Sequence, residues 1–174
     1  LDLDSINVVM NVLEEAKANH KTTYICGNGG SAATASHFVC DFNKGLNDEA
    51  SQFKFQCLSD NTPIMMAISN DIGYEEVFRY QIKGRIEEGD ILFGISGSGN
   101  SINVINAMEH AKSVGAKTIA LVGYDGGRMQ KIADYYPCKY QRHANFWRCP
   151  HDYGSSYDVC FKSWTGMIKR MEDY

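Results

Sequence analysis

The sequence has no long apolar run and no block of charge of one sign. It contains no stretch of about 18 apolar residues, which a membrane-spanning helix would need. It shows no charged and then apolar leader, so no signal peptide is expected, although the start at Leu1 without Met indicates that the natural chain begins earlier. The net charge of −4 is spread along the chain and leaves no basic cluster for nucleic acid. We therefore expect a small-molecule partner rather than a membrane or a nucleic acid.

Paired cysteine motifs are also missing. None of the six cysteines lies in a C-x-x-C pair, and three of them fall in predicted core segments. A disulfide framework is therefore disfavoured, and free thiols in a reducing cytoplasm are expected.

The sequence does contain an alternation of strand and helix patterns. Short β-prone or apolar runs at 22–26, 53–58, 90–95 and 117–122 predict strands. Helices are predicted at 5–19, at 31–43, from 63 to about 69 and from 102 to 115. This order is typical of a three-layer α/β/α domain with a central parallel sheet, preceded by an N-terminal helix.

Two loops rich in glycine and serine follow predicted strands and precede predicted helices. The first loop, residues 26–31, is Cys-Gly-Asn-Gly-Gly-Ser, and the second loop, residues 95–101, is Ile-Ser-Gly-Ser-Gly-Asn-Ser. Small residues, hydroxyls and helix N-termini together favour a phosphate monoester. Alternatively, the first loop is an ordinary turn and the second a serine-rich helix cap. Neither loop has the spacing of a nucleotide-binding motif, so no nucleotide cofactor is expected.

Both loops, in this strand-loop-helix context, resemble the sugar isomerase (SIS) domain. More closely, residues 26–41, 70–74 (Asn-Asp-Ile-Gly-Tyr) and 94–101 are similar to the phosphoheptose isomerase branch, which converts sedoheptulose 7-phosphate to a heptose 7-phosphate. The resemblance covers roughly residues 5–134 of what we expect to be a single domain, 1–174. It implies a flavodoxin-like sheet, a homotetramer and active sites shared between subunits.

The same resemblance implies a set of sugar-phosphate contacts. They are Asn28, Gly29, Gly30, Ser31, Asn70, Asp71, Ser96, Gly97, Ser98 and Ser101. Gly97 departs from the threonine that is usual in the family, so one hydroxyl is missing.

His37 and Asp41 lie four residues apart on the helix after the first loop, hence on one face. Spacing alone leaves two interpretations, a solvated surface pair or a pair that binds a divalent metal or relays a proton. The resemblance implies a zinc ligand at His37 and a metal-binding, catalytic carboxylate at Asp41, where the family usually carries glutamate. Because aspartate is shorter by one methylene, we expect weaker catalysis.

The sequence after Asp134 has a different character. The family's C-terminal helix with its histidine is not found there, and we hypothesise that the residues after about Tyr135 are encoded in a shifted reading frame. The alternative is a metal site formed by Cys138, His143, Cys149, His151 and Cys160. The spacing of these residues along the chain matches no regular zinc module.

The sequence thus predicts a sugar-phosphate aldose-ketose isomerase. Two alternatives stay open: a non-catalytic SIS protein that binds a phosphosugar for regulation, and an enzyme acting on another phosphosugar such as a hexosamine phosphate.

Overall fold

The computed structural model describes residues 3–45 and 52–137, in which helices and strands alternate. The helices are α1 (Leu3–Ala18), α2 (Gly30–Cys40), α3 (Thr62–Asp71), α4 (Arg79–Ile82), α5 (Ile102–Ser113) and α6 (Gly127–Ile132). The strands are β1 (Thr22–Gly27), β2 (Lys54–Cys57), β3 (Ile91–Ser96) and β4 (Lys117–Val122). All four predicted strands and all four predicted helices are confirmed, whereas the short helices α4 and α6 were not predicted.

The four strands form one parallel sheet in the order β2-β1-β3-β4. Ile25 of β1 lies opposite Cys57 of β2 on one side and Phe93 of β3 on the other. The chain moves outward from β1 to β2 and then returns past β1 to β3, so the strand order reverses between β1 and β3. Ligands of such sheets bind beyond the carboxyl ends of the strands at this reversal.

Helices cover both faces of the sheet and bury two apolar cores. One core joins α1 and α2 to the sheet through side chains such as Leu13, Phe38 and Phe93. The other joins α4, α5 and α6 to the opposite face, where Leu92 and Met108 are fully buried. Neighbouring residues of a strand point to opposite faces, which is why β3 is buried along its whole length. The predicted three-layer, flavodoxin-like α/β fold is confirmed.

Helix α2 continues into a π-helical turn, Asp41–Gly45, instead of ending as a regular helix near residue 43. Two side chains of this turn hold it against β2. Phe42 is fully buried and stacks on Phe55 with 4.2 Å between ring centroids. The Asn43 carboxamide donates to the Phe55 carbonyl (2.8 Å) and accepts from its N–H (2.9 Å). The backbone at Asp41 is therefore anchored from its C-terminal side.

Asp134 fixes the start of the segment that follows α6. Its carboxylate accepts hydrogen bonds from the Thr118 N–H (2.9 Å), the Thr118 hydroxyl (2.8 Å) and the Lys112 ammonium (2.6 Å). Burial acts to raise the pKa of Asp134, but the hydrogen bonds from Lys112 and Thr118 outweigh it and lower that pKa. Tyr135 then forms a parallel bridge with Ile119.

The described residues also bear on the thiols and on membrane insertion. Cys26, Cys40 and Cys57 are free, and burial raises the pKa of the Cys26 and Cys57 thiols, which keeps them protonated. Within the same residues, no helix is long and apolar enough to cross a bilayer. The shifted reading frame and the alternative metal site both concern residues outside the described ranges.

Candidate functional site

The two glycine-rich loops meet at one rim of the sheet. They follow β1 and β3, which are neighbours, and Gly27 at the end of β1 lies opposite Ile95 near the end of β3. Both loops therefore lie on the same side of the molecule.

Three side chains connect these loops and the 70–74 segment. The carboxamides of Asn28 and Asn103 donate to each other at 2.9 Å in both directions. The Tyr74 hydroxyl donates to the Asn28 Oδ1 atom at 2.7 Å. Asn103 was not predicted from the sequence, although a polar residue between the apolar Ile102 and Val104 was a signal. It is 1% exposed and belongs to the first turn of α5.

Helices α2 and α5 begin at the loops without side-chain caps. The N-cap of α2 is Gly29, which has no side chain, and the N-cap of α5 is Ser101, which makes no capping hydrogen bond. The Ser101 hydroxyl lies 2.9 Å from that of Ser96 instead. Ser101 stands at the N-cap position but does not cap α5 through its side chain. In these first turns the Ser31, Ala32 and Val104 N–H groups donate within the chain. The N–H groups of Gly30, Ile102 and Asn103 make no hydrogen bond to the described residues and stay available to an anion.

The second loop is supported by the segment after β4. Gly99 has a φ of +63°, and a Cβ there would lie 2.1 Å from the Gly126 carbonyl oxygen. The Met129 N–H donates to the Gly99 carbonyl at 2.9 Å, and the Gly123 N–H donates to that of Gly97 at 3.1 Å. Because backbone packs directly on backbone here, Gly99 admits no side chain.

Gly97 differs from Gly99 in its surroundings. A Cβ added at Gly97 would meet no atom within 4 Å. The position therefore has room for a side chain, and the missing hydroxyl leaves open space beside the loop.

Asn70 and Asp71 lie exposed at the C-terminal end of α3, where the Asn70 Nδ2 atom donates to the Asp71 Oδ1 atom at 2.8 Å. Asn70 and Tyr74 line an open cavity of about 510 Å³ whose other walls are Thr62, Met65, Met66 and Ser69. Since Tyr74 also binds Asn28, this cavity adjoins the first loop.

The side chains of His37 and Asp41 face each other as predicted, with 3.2 Å between the His37 Nε2 and the Asp41 Oδ2 atoms. The His37 side chain is 56% exposed and that of Asp41 is 26% exposed. At the helical rise, Asp41 lies roughly 15 Å along α2 from Ser31. Within one chain, the structure thus places this pair toward the other end of α2, apart from the two loops.

The same pair provides too few ligands for zinc. A catalytic zinc site takes three protein ligands. Among the residues that the structure describes, no group of three or more His, Cys, Asp and Glu side chains is close enough to hold a metal. The described residues alone therefore do not fit zinc.

Comparisons with known proteins agree with the α/β fold and with the family resemblance of the sequence. A family model described as the SIS domain matches residues 2–123. A phosphoheptose isomerase from Nitratiruptor sp. is 46% identical over 120 residues, which cover 69% of this chain and 64% of that protein. Another from Geotalea uraniireducens is 42% identical over 129 residues, which cover 74% and 68%. The structure of phosphoheptose isomerase from Neisseria gonorrhoeae superposes with a TM-score of 0.82 at 26% identity, covering 98% of this chain and 86% of that one.

The chain belongs to the SIS domain family. Within that family its relatives place it in the phosphoheptose isomerase branch. Its match to the Nitratiruptor protein spans slightly less than two thirds of that relative's length, 64%.

Proposed function

We propose that this chain binds a sugar phosphate at the two loops and interconverts its ketose and aldose forms. The proposed reaction converts sedoheptulose 7-phosphate to D-glycero-D-manno-heptose 7-phosphate. The observation that carries the proposal is the pair of helix N-termini at one rim of the sheet whose N-cap residues make no capping hydrogen bond. The phosphoheptose isomerases to which the chain is similar give the substrate.

The phosphate is proposed to bind the hydroxyls of Ser96, Ser98 and Ser101 and the N–H groups at the start of α2 and α5. A doubly negative ester is stabilised there by hydrogen bonds and by two helix dipoles. The carbon chain of the sugar then extends toward Asn70 and Asp71, beside the open cavity.

The isomerisation itself needs a base and no external oxidant or reductant. A proton leaves the carbon next to the carbonyl, an enediol forms, and a proton returns to the neighbouring carbon. We assign the base to the Asp41 carboxylate, with His37 oriented beside it at 3.2 Å. Because electrons and protons balance within the sugar, the reaction requires no nucleotide cofactor.

The separation of Asp41 from the loops supports a site shared between subunits. A copy of α2 from a neighbouring subunit would bring its own His37 and Asp41 to a phosphate held by this chain. We accordingly propose a homotetramer in the cytoplasm, built from one domain per chain. Zinc belongs to this proposal only if residues outside the described ranges or a neighbouring subunit add a ligand to the pair. It would then act as a Lewis acid on the carbonyl.

Incubation with sedoheptulose 7-phosphate, with heptose 7-phosphate as the measured product, tests the proposal. The unaltered chain should form product. The Asp41→Ala variant should bind the substrate equally well and turn over at least about 100-fold more slowly. Neither binding nor turnover by the unaltered chain would contradict the proposal.

A non-catalytic phosphosugar-binding protein is the second candidate. It is favoured by Asp41, which is shorter than the glutamate usual in the family, and by the incomplete metal set among the described residues. Binding without turnover, with or without added zinc, would establish it. Competition between sedoheptulose 7-phosphate and a hexosamine phosphate would settle which phosphosugar is bound.

A further inference from the structure

Asn28 is the one predicted contact whose side chain is held by two other segments of the described chain. Its Oδ1 atom accepts hydrogen bonds from the Tyr74 hydroxyl at 2.7 Å and from the Asn103 Nδ2 atom at 2.9 Å. A carboxamide oxygen has two lone pairs, so this oxygen has no capacity left for a ligand. One hydrogen of the Asn28 Nδ2 atom donates to Asn103 at 2.9 Å. The other hydrogen makes no bond to the described residues.

Asn103 is itself fixed in orientation. It is 1% exposed, and its Oδ1 atom accepts from the Val104 N–H at 3.0 Å as well as from Asn28. Turning this carboxamide over would set like groups against one another in a buried place, which is costly. Asn103, which belongs to α5, therefore holds the Asn28 side chain of the first loop in one orientation.

Tyr74 makes its contact in a different way. The residue is 52% exposed, so burial of the ring does little to hold it. Gly73 before it has a φ of +145°, a backbone conformation that residues with a side chain rarely adopt. The turn thus requires glycine at 73, and it delivers the Tyr74 hydroxyl to Asn28.

We propose that Tyr74 and Asn103 are positioning residues that make Asn28 a hydrogen-bond donor toward the ligand. This assignment rests on the proposed function, because it concerns the phosphosugar held at the two loops. Asn28 then recognises an acceptor oxygen of the sugar phosphate and selects against a donor at that place.

The network is tested without ligand by the side-chain amide NMR signals of Asn28 and Asn103 in the full chain. Tyr74→Phe removes one hydroxyl and should shift the Asn28 amide signals and speed their hydrogen exchange. Tyr80→Phe is the matched control, since Tyr80 is 51% exposed. The two carboxamides should also show a direct through-space contact. Unchanged Asn28 signals in Tyr74→Phe would overturn the proposal.

Calorimetric titration with sedoheptulose 7-phosphate tests the donor role. Tyr74→Phe should weaken binding about threefold to tenfold, and the effect should vanish in the Asn28→Ala background. Asn28→Asp keeps the shape but offers only oxygens, and it should lose at least about tenfold. Binding by Asn28→Asp at the level of the unaltered chain would overturn the donor assignment.

The two proposals fail in different ways. If the unaltered chain binds and Tyr74→Phe binds as well as it does, the positioning role is wrong and the proposed function stands. If the unaltered chain does not bind, the proposed function is wrong and the donor role falls with it, while the amide signals still decide whether the network exists.

Discussion

The start of α3 and the starts of α2 and α5 differ in one respect. The N-cap of α3 is Asn61, whose side chain accepts from the Ile64 N–H at 3.1 Å. The N-cap residues of α2 and α5, Gly29 and Ser101, make no such side-chain hydrogen bond, and in the first turn of α5 only the Val104 N–H has a side-chain partner among the described residues, Asn103. All three helices follow strands of the same sheet, but α2 and α5 follow β1 and β3, between which the strand order reverses, whereas α3 follows the edge strand β2.

This difference in capping distinguishes a helix start that stabilises the fold from helix starts that we expect to bind the ligand. A helix that caps itself satisfies its free N–H groups at all times and gains stability from doing so. A helix that leaves them free gives up that stability, and an anion supplies the missing partner. We therefore expect the ligand to bind at the starts of α2 and α5 rather than at the start of α3.

Giving α5 a cap of its own should have the largest effect. In Ser101→Asp, the carboxylate can accept from the first-turn N–H groups and repels the phosphate. We expect phosphosugar binding to fall at least about 100-fold, roughly 3 kcal/mol, without a lower melting temperature. Calorimetry and thermal unfolding measure both. If binding survives with the carboxylate in place, the anion does not bind at α5.

Distorting the second loop should have the next largest effect. Gly99→Ala must displace the Gly126 carbonyl and strain a positive φ, so we expect a loss of roughly 2 kcal/mol in unfolding free energy and weaker phosphosugar binding. Gly97→Ala, with open space around it, is the matched control and should change stability by less than about 0.5 kcal/mol. Equal effects of the two variants, measured by urea unfolding, would contradict the packing described here.

Removing the cap of α3 should lower the stability of the chain and leave phosphosugar binding unchanged, which is the opposite of the effect expected for Ser101→Asp. Asn61→Ala leaves the Ile64 N–H without its partner and should cost about 1 kcal/mol of unfolding free energy. Phosphosugar affinity should stay within twofold, because the Asn61 side chain bonds to the Ile64 N–H of its own helix and α3 lies outside the proposed phosphate contacts. A large loss of affinity would show that α3 belongs to the phosphate site after all.

The smallest effect concerns Asp134 and depends on pH. Its pKa is lowered in the folded chain, so its contribution is complete above the unfolded value near 3.9 and is lost as pH falls through the folded pKa. The Lys112 ion pair is partly exposed and adds little. Asp134→Asn should therefore destabilise by at most about 1 kcal/mol at neutral pH. The unfolding free energies of the variant and of the unaltered chain should become equal at acid pH, as measured by urea unfolding. A difference that stays constant across the pH range would contradict the assignment of this stability to the ionised Asp134 carboxylate.

The sequence was sufficient for the sheet and for the convergence of the loops. Apolar runs followed by Gly-Asn-Gly-Gly and Ser-Gly-Ser-Gly predict strand ends, and parallel strands align such ends at one rim. The pairing of Asn28 with Asn103 could not be predicted from the sequence, because residues 75 positions apart meet only after β1 and β3 pair. The distance of Asp41 from the loops was overlooked for another reason: the spacing of His37 and Asp41 reports a shared helix face and says nothing about which end of α2 binds the ligand.

The central claim is that one phosphate ester is held by both loops together. Titration of the ¹⁵N-labelled chain with sedoheptulose 7-phosphate tests it directly, through the backbone N–H signals of residues 29–31 and 97–102. The account predicts that both sets of signals shift in parallel and saturate at one ligand per chain. Shifts confined to one loop, or shifts elsewhere with both loops unchanged, would contradict it.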